Sequence, residues 1–94
     1  MFEIRMLEEG TVRLTGRLDA AEAERVGDEL LAIRDSVRLD CSELDYISSA
    51  GIGVLIELFK RLQASGQTMT LVSLLPRVRN IFRYAGLDRL LTIE

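Results

Sequence analysis

The sequence contains no histidine. That absence removes the Ser-His-Asp triad, the Cys-His pair and every histidine-ligated zinc site together. Cysteine is nearly absent as well. Cys41 stands alone, so no disulfide closes within the chain, and its apolar neighbours read as strand interior in a reducing compartment. No apolar run approaches the roughly 18 residues of a membrane span. The N-terminal MFEIRMLEEG is acidic where a signal peptide needs a cationic start, which leads to the expectation of a cytoplasmic protein. Clustered Lys and Arg are also missing, and the net charge of −3 argues against nucleic acid as the partner.

What is present is a globular composition, with 48% hydrophobic residues and a single proline among 94 residues. One domain over residues 1–94 is expected. A chain of this length buries about two-thirds of its unfolded surface, which leaves little material for a deep pocket.

Period-two alternation of Phe2, Ile4 and Met6, then of Val12 and Leu14, predicts two strands. Glu8, Glu9 and Gly10 supply the turn of an antiparallel hairpin that Gly16 ends. Asp19 is placed to cap a helix whose apolar face is Ala23, Val26, Leu30 and Ile33. Residues 37–41 predict a short strand, and residues 42–47 a loop. A second helix carries Ile52, Leu55, Leu58, Phe59 and Leu62 and stops at Gly66. Residues 68–73 predict a buried strand and residues 90–93 a last one. Between them a helix opens at Pro76, presents Val78, Ile81 and Phe82, and ends at Gly86. The order β-β-α-β-α-β-α-β implies an α/β fold, a mixed sheet with helices packed against it.

The distinctive stretch is YISSAGIGVLIELF, residues 46–59. A serine before a helix is ordinarily its cap, accepting an N–H of the first turn. Capping does not explain Gly51 and Gly53, because a glycine inside a helix costs roughly 1 kcal/mol relative to alanine. Small residues beside a hydroxyl point to something docking there. No chemistry of the serine's own is legible. The G-x-S-x-G elbow would need glycine at Ile47, G-x-G-x-x-G would need it at Ile56, and no G-x-x-x-x-G-K-[ST] occurs. Asp40, Glu43 and Asp45 read as turn formers or caps before they read as an acid/base pair. No catalytic residue, cofactor site or metal site is expected. The remaining possibility is a serine that receives chemistry, since a phosphate at a helix N-terminus is favoured by the helix dipole and by free N–H groups.

LDYISSAGIGVLIELFKRLQASGQTMTLVSLLPRVRNIFRYAGLDRLLTI, preceded by TGRLDAAEAERV and VRLDCSEL, resembles the STAS domain of bacterial anti-sigma factor antagonists. The resemblance covers nearly the whole chain and implies a mixed sheet of about five strands. It also implies partner switching. The unphosphorylated antagonist binds an anti-sigma factor of the histidine-kinase-like ATPase fold and frees the sigma factor. The same partner, a serine kinase, phosphorylates the antagonist, and a serine phosphatase reverses this. The family motif D-S-[ST]-G-[LI]-G places the acceptor at Ser49, followed by Ala50, Gly51, Ile52 and Gly53. Ser48 stands where many relatives carry aspartate, and is the competing acceptor.

Under this resemblance Gly51 and Gly53 admit the partner's backbone, and Ile52 and Leu55 divide between core and docking face. Asp19, Asp40, Leu75, Pro76 and Arg77 frame the site. For each of these the structural alternatives stand beside the functional one: a cap for Asp19, a turn for Asp40, core for Leu75. The chain stops at Glu94, where many relatives continue into a final helix, so weak self-association is a further expectation. The alternative function is a phosphorylation-independent STAS subunit of a transporter or signalling assembly.

Overall fold

In the computed structural model, which describes residues 1–94, alternation builds the first hairpin. Strand β1 (Phe2–Glu8) pairs antiparallel with β2 (Thr11–Leu18), so Gly16 does not end the second strand. Helix α1 (Ala20–Leu31) starts where Asp19 accepts the Glu22 N–H at 2.9 Å, and it buries Ala23, Val26 and Leu30. The chain then forms β3 (Val37–Ile47), α2 (Ser49–Ala64), β4 (Met69–Val72) and α3 (Pro76–Tyr84). It ends in a 3-10 turn (Leu87–Arg89) and the short β5 (Thr92–Ile93).

The main correction concerns β3. Residues 42–47, expected as a loop, continue the strand begun at Val37. Two bulges disguise it. Arg13 pairs with Asp40 but Thr15 with Glu43, and Gly16 pairs with Leu44 but Arg17 with Tyr46, so β3 carries one extra residue at each step. Its inward positions therefore run Val37, Leu39, Cys41, Leu44, Ile47, and the step of two becomes a step of three. The other boundaries move less: β4 is shorter than residues 68–73, and the 3-10 turn takes most of what precedes β5.

The sheet order is β1-β2-β3-β4-β5, with every pairing after the first hairpin parallel. Each parallel step goes the same way across the sheet, so right-handed crossovers stack the helices on one face. Between that face and the helices lies a core of 21 buried residues drawn from the sheet and all three helices, among them Leu14, Leu39, Leu58 and Phe82. Full burial of one such side chain is worth about 1.5–3 kcal/mol. The opposite face is polar. Arg13 reaches Asp40 at 3.0 Å and Glu43 at 3.6 Å, and Arg38 reaches Glu94 at 3.0 Å. Asp40 thus lies inside β3 rather than near its end. Burial opposes its charge, but hydrogen bonds from Ser42 and Arg13 outweigh that and hold the carboxyl below its ordinary pKa.

Cys41 is fully buried, and burial, with the Asp40 charge adding to it, pushes its thiol up to about 12. The native state therefore keeps a proton that the unfolded chain releases near its ordinary value of 9.0. This contribution to stability is whole below that value and declines as pH rises toward about 12. In urea melts across this interval the native protein should lose stability more steeply than Cys41→Ala. Parallel slopes would show that the thiol does not titrate differently on folding.

Candidate functional site

The site is built where β2 and β3 end together. Leu18 and Ile47 are the last pair of the parallel ladder, and the Leu18 carbonyl extends just beyond it. Ser48 donates to that carbonyl twice, through its N–H at 2.9 Å and its Oγ at 3.1 Å. The same Oγ accepts the Gly51 N–H at 3.1 Å, and the Ser48 carbonyl accepts the Ile52 N–H at 2.9 Å. Ser48 is therefore the N-cap of α2, and its hydroxyl both donates and accepts within the chain. Ser49 is the first helical residue. It is exposed, and its hydroxyl makes no hydrogen bond within the chain. The N–H groups of Ser49 and Ala50 are left facing out of the helix end, where the dipole favours an anion.

The two glycines separate as cleanly as the two serines. A Cβ on Gly51 would lie 2.8 Å from Leu18 Cγ and 2.9 Å from both Ile47 Cγ1 and the Leu18 carbonyl oxygen. Gly51 is therefore fixed by internal packing and does not face a partner. A Cβ on Gly53 would meet nothing within 4 Å. Nothing inside the molecule asks for glycine there. Gly53 is exposed one helical turn beyond Ser49, so Ser49, Ala50 and Gly53 form an open strip with half-buried Ile52 beside it.

Not every expected residue joins this strip. Leu55 has no exposed surface and belongs to the core, which corrects its assignment to a docking face. Asp40 sits on the polar face roughly 20 Å down β3 from Ile47, given about 3.3 Å per residue, and cannot frame the site. Asp19 does lie at the site's edge, next to Leu18, with its carboxylate engaged as the α1 cap. Half-buried Leu75 precedes exposed Pro76 and Arg77, and Arg77 ties this segment to the end of β3. Its guanidinium donates to the Asp45 carbonyl at 3.0 Å and to the Asp45 carboxylate at 3.1 Å. Sequence reading missed Leu18, whose carbonyl anchors the cap, and the pair Arg17 over Tyr46, 4.4 Å from guanidinium to ring centroid. Only the strand register brings these together. The largest concavity, bounded by Gly10, Ala32 and Ser36, is at the opposite end of the sheet, so the site is a surface rather than a pocket.

Comparison with known proteins agrees with this fold. The family model described as "Mlab, STAS domain" matches residues 3–92. The chain belongs to the STAS domain family. BtrV of Bordetella bronchiseptica, whose name assigns it provisionally to the anti-sigma factor antagonists, is 39% identical over 77 residues, covering 78% of this STAS domain and 66% of BtrV. The anti-sigma-B factor antagonist of Listeria monocytogenes is 28% identical over 85 residues, covering 86% of this chain and 75% of its own. In fold, the STAS domain is similar to the Bacillus anti-sigma factor antagonist SpoIIAA, solved in unphosphorylated form (TM-score 0.72, 18% identity, covering 100% of this chain and 87% of that one). The phosphorylated form of SpoIIAA gives a TM-score of 0.70 at 20% identity, covering 100% and 91%. These relatives are named as antagonists, which are binding regulators and not enzymes. No helix of this STAS domain is long and apolar enough to cross a membrane.

The division of labour at the helix start predicts a distinct stability profile in denaturant melts. Gly51→Ala should cost about 1–3 kcal/mol through overpacking, whereas Gly53→Ala should gain about 0.5–1 kcal/mol from helix propensity. Ser48→Ala should lose about 1 kcal/mol with the cap, and Ser49→Ala should stay within about 0.5 kcal/mol of the parent. Equal effects at the two glycines would refute the packing role of Gly51.

Proposed function

We propose that this STAS domain is an anti-sigma factor antagonist gated by phosphorylation at Ser49. In its unphosphorylated form the open strip at the start of α2 docks on an anti-sigma factor in the cytoplasm. That partner is a serine kinase of the histidine-kinase-like ATPase fold, and its capture releases the sigma factor. Phosphorylation of Ser49 by the same partner ends the docking, and a serine phosphatase restores it.

The observation that carries this reading is the contrast at the helix start. Ser49 offers a free hydroxyl beside a glycine with no internal reason to be one, while the Ser48 hydroxyl is held in two hydrogen bonds. Modifying Ser48 would break the cap and strip the Leu18 carbonyl of a donor. Modifying Ser49 breaks nothing, and the added phosphate meets outward N–H groups at the positive end of α2. A charge of about −1.5 to −2 on a strip of small and apolar residues opposes any docking that desolvates it. The names of the relatives and the existence of SpoIIAA in a phosphorylated form support the same assignment.

Incubation with a candidate kinase and ATP, followed by mass spectrometric mapping, should find phosphate on Ser49. Ser49→Ala should abolish it and Ser48→Ala should retain it. Ser49→Asp and Gly53→Ala should each weaken binding to the anti-sigma factor about tenfold or more, a loss of about 1.4 kcal/mol or above. Phosphate on Ser48 alone would overturn the acceptor assignment. A stable complex indifferent to both Ser49 substitutions would instead identify a fixed STAS subunit of a larger assembly.

A further inference from the structure

On the polar face of the β2–β3 pair, arginines come matched to carboxylates, with one exception. Arg13 is held by Asp40 and Glu43, and Arg38 by Glu94. Arg17 is exposed, and its side chain forms no ion pair or hydrogen bond within the chain. Its ladder partner is Tyr46, and the acid that precedes Tyr46, Asp45, is taken by Arg77 at 3.1 Å. The Arg17 guanidinium lies over the Tyr46 ring instead, 4.4 Å from the centroid. A ring face attracts the charge without accepting the N–H groups as a carboxylate does, so the donor fork stays open.

Position gives this open cation its meaning. Arg17 and Tyr46 are the ladder pair directly before Leu18 and Ile47, so they stand at the end of the sheet from which α2 starts. Tyr46 lies three residues before Ser49, which keeps their Cα atoms within about 11 Å, the reach of a fully extended chain. The strip of Ser49, Ala50 and Gly53 is also too small to hold a partner by itself. A stable interface covers about 800 Å² of each partner, out of a total surface of 5525 Å² for this domain. Three small residues supply only a fraction of that, so a partner seated on the strip covers neighbouring surface at the same end of the sheet.

We propose that Arg17, steadied by Tyr46, is a second anchor of the docking surface and takes a carboxylate of the anti-sigma factor, an inference that rests on the function proposed above. The carboxylate belongs to an Asp or Glu side chain that stands where the partner crosses from the α2 strip to the polar face. The planar fork of arginine meets such a group through two parallel N–H···O bonds. Tyr46 holds the guanidinium in place beforehand, so less side-chain freedom is lost when the partner arrives. Arginine and tyrosine are also among the residue types that carry most of the energy at protein interfaces. The charge selects as well as binds. A partner with a cation at the same place meets Arg17 with like charge and is rejected. The two anchors thus carry different information: Ser49 registers whether this domain is modified, and Arg17 registers which partner has come.

The test is binding of the candidate anti-sigma kinase to the parent, Ser49→Asp, Arg17→Glu and Arg17→Gln, at about 0.1 and 1 M salt, between which the screening length falls from about 10 to 3 Å. At the lower salt Arg17→Glu should raise the Kd about tenfold or more and Arg17→Gln about threefold, mainly through slower association. At the higher salt the gap between Arg17→Glu and the parent should narrow, which damage to the fold would not produce. Thermal melts of both Arg17 variants should stay near the parent, since the side chain is exposed. Among single exchanges of exposed Asp or Glu to Arg in the kinase, one should recover its binding to Arg17→Glu. Binding that Ser49→Asp weakens and neither Arg17 variant does would overturn the role of Arg17 and leave phosphorylation gating intact. A loss in Arg17→Glu that is equal at both salts would also overturn it. Indifference to Ser49→Asp would remove the gating itself, and the role of Arg17 with it.

Discussion

The Leu18 carbonyl holds the start of α2, the candidate functional site, in place. It accepts both donors of Ser48, at 2.9 and 3.1 Å, and so fixes where β3 stops and α2 begins. Everything at the helix start follows from that anchor. With Ser48 turned toward Leu18, the next residue along the helix is turned away from it, and Ser49 reaches solvent. With Leu18 pressed against the first turn, there is no room for a Cβ at Gly51. A backbone oxygen thus decides which of two adjacent serines is structural and which of two neighbouring glycines is replaceable.

The polar side of the sheet answers to a different constraint. Arg13 bridges to Asp40 and Glu43 across the first β3 bulge, with Arg13 side-chain exposure of 30%. Partly exposed pairs of this kind add little stability, commonly under about 1 kcal/mol each. Their geometry matters more, because they bind β2 to β3 on both sides of the inserted residue. Opposite charges there favour the bulged register over the regular one, and the bulged register is the one that delivers Leu18 to Ser48.

Much of the architecture was legible in the sequence because most segments obey a simple period. The alternation in β1 and β2, the Asp19 cap, and the apolar stripes of α1 and α2 appear where expected, except that α1 ends at Leu31 and leaves Ile33 beyond it. Residues 42–47 did not, since two bulges replace steps of two by steps of three and leave no alternation to read. The site was legible as a stretch but not residue by residue. Serine next to serine gives the same local signal, and only the Leu18–Ser48 contact separates them. Gly51 and Gly53 likewise look alike in sequence, whereas one faces Leu18 and Ile47 and the other faces solvent. Leu55 and Asp40 were misassigned for a related reason. A helical period shows that a residue lies on a stripe without saying which way the stripe faces, and a strand of unrecognised length hides how far its middle is from its end.

The anchor at Leu18 also bears on when the functional surface comes into being. Leu18 and Ser48 are thirty positions apart in the chain, and the ladder that joins them is parallel and non-local. The β1–β2 hairpin closes a short loop, whereas the β2–β3 register closes a longer one that contains α1, and distant contacts bear the entropy of the loop they close. Until that register is complete, nothing directs one serine inward and its neighbour outward. Under the proposed function, a partner that docks at the start of α2 therefore reads only finished molecules, and its docking doubles as a report that folding is done.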